Sequence, residues 1–130
     1  MHWVPQTYRN GELVIVIDCS DLDRSARFWG QVLGYTASAA GGPYQSLHPA
    51  DGTGIEVLLQ CVPDPKQGKN RVHLDLRTAD LDAEVTRVAG LGATLLTNQP
   101  VTEDGWQWHI LADPDGNEFC VLRPPDGPTA

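Results

Sequence analysis

The chain has 130 residues, and 17 acidic against 9 basic side chains give it a net charge of −8. Nucleic acid and anionic membrane are therefore excluded as expected partners, because a net-negative surface is repelled by both. The length suits a single domain over residues 1–130 with a core of its own. The longest strongly apolar run, Leu13–Ile17, is too short to cross a bilayer.

In chain order, Leu13–Cys19 is apolar and β-branched, which predicts a buried strand. Asp21 is placed to cap a helix with Leu22, Ala26, Trp29 and Leu33 on its apolar stripe, and Gly34 to end it. Strands are expected over Tyr35–Ala39, Tyr44–Leu47 and Ile55–Val62, separated by Gly41-Gly42-Pro43 and Asp51-Gly52 turns. Pro63–Asn70 reads PDPKQGKN, has no apolar side chain besides its prolines, and is the expected linker.

The order then repeats. Val72–Leu76 predicts a strand, and Asp80 caps a helix with Leu81, Val85, Val88 and Ala89 on one face, stopped by Gly92. Ala93–Leu96, Trp106–Leu111 and Glu118–Leu122 predict three more strands, the last entered through the turn Asp113-Pro114-Asp115-Gly116-Asn117. Each half is thus β-α-β-β-β, with module one at about 11–62 and module two at about 71–123. A repeat of this length signals two copies of one supersecondary unit, which bury their open faces against each other. The fold class is α+β, two βαβββ modules forming curved mixed sheets around a cleft. Residues from Pro124 onward are expected to fray, and His2, Trp3 and Tyr8 lie in an N-terminal arm.

The segments DLDRSARFWGQVLG, HLDLRTADLDAEVTRVAGLGA and DPDGNEFCVL resemble the vicinal-oxygen-chelate superfamily, the fold of glyoxalase I, extradiol dioxygenases and bleomycin-resistance proteins. KNRVHLDL and ADPDGNEFCVL are closest to its small glyoxalase-like branch. The resemblance covers about residues 12–123. It implies a divalent metal held by the first and last strands of each module. Counted from the motifs, the first-strand positions are His73 and Val14, and valine cannot ligate. The last-strand position in the second half is Cys120, with Glu118 on the same strand face. Its first-half counterpart is Glu56 or Val57. A substituted site using Asp18, which shares a strand face with Val14, is geometrically conceivable.

Five residues are the ligand-binding candidates: Asp18, His73, Trp106, Trp108 and Glu118. His73 lies on a strand and shares its face with Asp75; the competing reading is a hydrogen-bonded histidine with no metal. Asp18 follows four apolar residues, so burial and a partner are expected, either as a pocket acid or as a strand-end residue bonded to turn amides. Trp106 and Trp108 alternate on one strand and form a candidate aromatic wall, weighed against core or dimer packing. Trp29 is expected in the core, His109 at the surface, and Cys120 as a buried inert thiol.

No nucleotide-binding, zinc-protease or serine-hydrolase motif is present. The leading functional reading is a protein that binds a small aromatic or polyketide-like molecule, sequestering it as the drug-resistance members do. The alternative is a metal-dependent lyase, isomerase or dioxygenase. A weaker third reading is metal-free acid–base catalysis by Asp18 and His73. No metal is expected; if one binds, Fe, Mn, Ni or Zn would be held by His73, Glu118 and Glu56. The three cysteines are odd in number and form no CxxC pair, and the opening residues lack an apolar stretch. A cytoplasmic homodimer is therefore expected, since sheet edges invite a partner copy.

Overall fold

A computed structural model of the protein describes residues 7–125. His2 and Trp3 of the arm, and the tail beyond residue 125, lie outside the described residues. The chain divides into two compact units, Met1–Pro65 and Lys66–Ala130, so the boundary falls inside the expected linker.

The first unit runs β1 (Val14–Cys19), α1 (Leu22–Leu33), β2 (Tyr35–Ala37), β3 (Tyr44–Pro49) and β4 (Glu56–Cys61). Its sheet has the order β1-β4-β3-β2, with β1 parallel to β4 and the other pairs antiparallel. Asp21 caps α1 by accepting the Arg24 backbone N–H at 3.0 Å. Gly34 closes it at φ 70°, a left-handed conformation that side-chain-bearing residues adopt at a cost. The buried face of α1 is Ser25, Phe28, Trp29 and Val32, the i, i+3, i+4, i+7 pattern of a helix on a sheet. This corrects the expected stripe: Trp29 belongs to it, but Leu22, Ala26 and Leu33 flank it half-buried. Phe28 and Trp29 meet edge to face, 5.1 Å between ring centroids. Ile17, Cys19, Leu47, Val57 and Leu59 complete this core.

The second unit runs β5 (Leu74–Arg77), α2 (Leu81–Gly90), β6 (Thr94–Leu95), β7 (Val101–Glu103), β8 (Trp106–Ala112) and β9 (Glu118–Arg123). The sheet order is β5-β9-β8-β6, with β5 parallel to β9 and β7 paired to β8. Asp80 caps α2 through the Ala83 N–H at 3.1 Å. Leu81, Val85 and Val88 are buried, as are Leu111, Phe119 and Val121 on the strands α2 packs against. Ala89, expected on that face, is exposed.

β7 is an addition to the expected order. It joins β8 through Asp104-Gly105, which takes φ 52° and 85° and closes a two-residue hairpin between Glu103 and Trp106. Asp113, only 3% exposed, organises the β8–β9 turn. Its carboxylate accepts the N–H groups of Asp115 and Asn117 and the Asn117 side-chain amide, at 2.8–3.0 Å. No described helix is long and apolar enough to cross a membrane.

Candidate functional site

Strand alternation gives each sheet two unlike faces. In the second unit, Leu111, Phe119 and Val121 turn toward α2. The opposite face carries Trp106, Trp108 and Ile110 of β8, Glu118, Cys120 and Leu122 of β9, and Asp75 of β5. The register sets these side chains in rows, Trp108 beside Leu122, and Ile110 beside Cys120 beside Asp75. A pocket of about 290 Å³ opens there, lined by Lys69, His73, Asp75, Trp108, Ile110, Glu118, Phe119, Cys120 and Leu122. Its floor is apolar and aromatic, and its polar groups gather at the β5 side and the start of β9.

His73 precedes β5 rather than lying within it, so its expected place on the strand is corrected by one residue. Its Nδ1 lies 3.0 Å from Asp75 Oδ1. An ionised carboxylate can only accept, so Nδ1 carries the hydrogen and Nε2 is the acceptor of the neutral ring. Cys120 is 8% exposed. Burial above all, and then the Asp75 charge beside it, pushes its thiol up to about 11, so it is an S–H at neutral pH. The expectation of an inert thiol agrees with this.

Glu118 sits at the pocket's edge and accepts the Asn70 backbone N–H at 3.2 Å and the Lys69 ammonium at 3.4 Å. Burial raises its carboxyl, but Asn70 and Lys69 outweigh that and leave it below the usual carboxylate range. These contacts tie the last residues of the expected linker to the second unit.

Of the sequence candidates, His73, Trp108 and Glu118 come together in this pocket. Trp106 shares the face but does not line the pocket. Its ring lies under the Arg77 guanidinium, 4.9 Å from the centroid. Asp18 belongs to the first unit and is exposed, which corrects its expected burial. Only Ile17 and Cys19 of β1 are buried, so an apolar run was covered on one face alone. Glu56 is also in the first unit, where the Ser46 hydroxyl donates to it at 2.5 Å. Asp18 pairs with Gln60 and Val14 with Glu56, which puts Asp18 and Glu56 four residues apart, roughly 13 Å along the strands.

His109 is a second correction: it is 7% exposed, on the α2 side of β8. Thr97 Oγ1 accepts the Ile110 N–H at 3.2 Å and shares a hydrogen bond with His109 Nδ1 at 2.7 Å. The residues that sequence reasoning left out of its candidate set are Asp75, Lys69 and the apolar floor of Ile110 and Leu122. Asp75 had a signal, its alternation with His73. Lys69 had none, since its place depends on Glu118 far along the chain.

The two units occupy matching positions unequally. Asp75 pairs with Cys120 as Val16 pairs with Leu58. The first-half counterpart of Cys120 is therefore Leu58, correcting Glu56 or Val57, and Glu56 matches Glu118 instead. Among the described residues, His73, Asp75 and Cys120 group three possible metal donors whose ligand atoms lie within 4.8 Å of one another.

Residues 14–122 match the family model of the glyoxalase-like domain, and the chain belongs to that family. Solved structures share the fold. A glyoxalase/bleomycin resistance protein/dioxygenase from Nocardioides superposes with a TM-score of 0.70 at 16% identity, covering 95% of this chain and 89% of that one. A glyoxalase/bleomycin resistance protein/dioxygenase family enzyme from Burkholderia phytofirmans gives 0.68 at 17%, covering 85% and 95%. The fosfomycin resistance protein FosX of Listeria monocytogenes, complexed with manganese(II) and dihydroxypropylphosphonic acid, gives 0.69 at 16%, covering 88% and 90%. No curated protein matches the sequence.

Proposed function

We propose that this glyoxalase-like protein binds a small, flat, largely apolar molecule in the pocket of its second unit, as a sequestering protein of the drug-resistance type. The observation that carries this is the lining itself. Trp108, Ile110 and Leu122 offer an apolar and aromatic surface, while His73 and Asp75 offer a few oriented polar groups. That mixture, at about 290 Å³, is the ordinary make-up of a pocket for a small ligand of one or two rings. Binding needs no catalytic group, and Cys120 as a protonated thiol is a poor nucleophile. A cytoplasmic homodimer belongs to the same proposal and is tested by light scattering at micromolar concentration.

The test is calorimetric binding of naphthylmethanol, a neutral bicyclic probe, to the wild type and to Trp108→Ala. Losing an aromatic contact of this kind weakens binding by about 1–3 kcal/mol, roughly ten- to a hundredfold. Trp106→Ala should leave affinity within about twofold, because Trp106 stands outside the lining. Equal affinity of the wild type and Trp108→Ala, or no binding at all, would refute the reading.

A second reading, a metal-dependent lyase, isomerase or dioxygenase, is supported by the grouping of His73, Asp75 and Cys120. One nitrogen, one oxygen and one sulfur make a set for a borderline ion such as zinc, not for an oxygen-preferring ion such as manganese. Removing a thiol proton at pH 7 from a group at about 11 also costs on the order of 5 kcal/mol, which only a strong metal–sulfur bond offsets. A bound ion would act as a Lewis acid, with these three residues holding it. Near-stoichiometric zinc in protein purified without chelator, lost in His73→Ala, would promote this reading over the first.

A further inference from the structure

The pocket has an electrostatic sign. Besides the Cys120 thiol, four of its lining residues have ionisable side chains: Lys69, His73, Asp75 and Glu118. Lys69 and Glu118 face each other at 3.4 Å, and Glu118 also holds the Asn70 N–H, so that pair is locally balanced. Asp75 has no such cation among the lining residues. Its neighbours are the His73 ring at 3.0 Å and the buried Cys120 thiol, both neutral when His73 is unprotonated. Asp75 keeps 42% of its side chain exposed, so its carboxylate is reachable. Trp108 lines the same pocket two strands away, and an indole ring also favours a cation on its face. The net charge of −8 adds a long-range pull in the same direction.

Resting on the ligand-binding reading, we propose that the pocket selects cationic aromatic molecules: a ring system on Trp108, with a protonated amine against Asp75. The spacing suits this. Two strand separations, roughly 10 Å, part β5 from β8, the span of a bicyclic ring with a one-carbon amine arm. An anionic ligand of the same shape meets Asp75 unbalanced and Glu118 already engaged.

Three matched probes test the charge alone: naphthylmethylamine, naphthylmethanol and naphthylacetic acid, titrated calorimetrically into the full-length protein at pH 7.5. The amine should bind at least about tenfold tighter than the alcohol, and the acid more weakly than the alcohol. Asp75→Asn should abolish the amine's advantage over the alcohol. Because that substitution could disturb His73, the wild type supplies a second measurement. The amine's advantage should shrink as sodium chloride is raised, and the alcohol's affinity should not. Equal binding of amine and acid, an advantage that survives Asp75→Asn, or one that ignores salt would overturn the proposal. If the alcohol binds through Trp108 but the amine gains nothing, the charge inference falls and the ligand-binding reading stands. If none of the three binds, both fall.

Discussion

Asp113 holds the pocket's β9 wall in place, and its removal makes a quantitative test. The carboxylate is 3% exposed and accepts the backbone N–H groups of Asp115 and Asn117 together with the Asn117 side-chain amide. Asp113→Ala deletes all three acceptances at once. Hydrogen bonds to a charged group contribute about 1.5–3 kcal/mol each, and stranded buried donors cost about 1–3. Asp115 and Asn117 are half-buried, so water can reach part of the gap, and the lower figures apply. At about 1 kcal/mol for each of the three donors left without the carboxylate, the variant should lose about 3 kcal/mol in urea unfolding. Asp113→Asn keeps an oxygen for the two backbone donors. Asn117 can turn its own amide oxygen toward the new NH2 group, so the loss there should be about 1 kcal/mol or less. Since the turn delivers Glu118 and Cys120 to the pocket, naphthylmethanol affinity should fall in the Ala variant and hold in the Asn variant. If Ala costs less than about 1 kcal/mol, or if Asn costs as much as Ala, the carboxylate is not the organiser assigned to it.

Four further outcomes follow from the pocket. Cys120 should resist alkylation at pH 8, reacting about a hundredfold slower than a thiol at the ordinary value of 9.0, since its proton leaves only near pH 11. Because that pKa is raised on folding, its contribution to stability is present below about pH 9 and is lost as pH climbs through about 11. Glu118→Ala should speed hydrogen exchange at the Asn70 amide. In the wild type that protection, which needs the ionised carboxylate, should persist at neutral pH and fade on acidification below the usual carboxylate range. His73→Ala removes one hydrogen bond, so naphthylmethanol affinity should drop no more than about tenfold, with metal content unchanged.

Both helices were legible because each announces itself locally. An aspartate cap, an apolar period and a glycine stop suffice, and the structure places Asp21, Gly34 and Asp80 in those roles. Strand positions were legible as well, but what covers a strand was not. Asp18 follows an apolar run and was read as buried; β1 is packed on one face only, and Asp18 falls on the other. His109 failed in reverse. Alternation with Trp108 fixed its face, but only α2 and the distant Thr97 hydroxyl make that face an interior. β7 was missed although Asp104-Gly105 is a hairpin signal, because three exposed residues carry no apolar pattern.

The repeat explains why the site candidates divided as they did. Duplication supplies two sheets with equivalent strand pairs, but side chains at equivalent places have parted company. Where the second unit has His73, Asp75 and Cys120, the first has Val14, Val16 and Leu58. Only the acid of the last strand is kept, as Glu56 and Glu118, and each is held by neighbours of its own unit. Polar chemistry has thus been concentrated in one copy. Substituting the missing polar set into the first unit, Val14→His with Leu58→Cys, should therefore add no naphthylmethylamine site. The amine's charge partner, Asp75, has only Val16 as its counterpart. Adding Val16→Asp supplies the charge but not the floor, because Trp108, Ile110 and Leu122 have Tyr44, Ser46 and Gln60 as counterparts, so calorimetry should still show a single binding event. A second binding event in the triple variant would show that a carboxylate alone draws the cation and that the apolar floor is not needed.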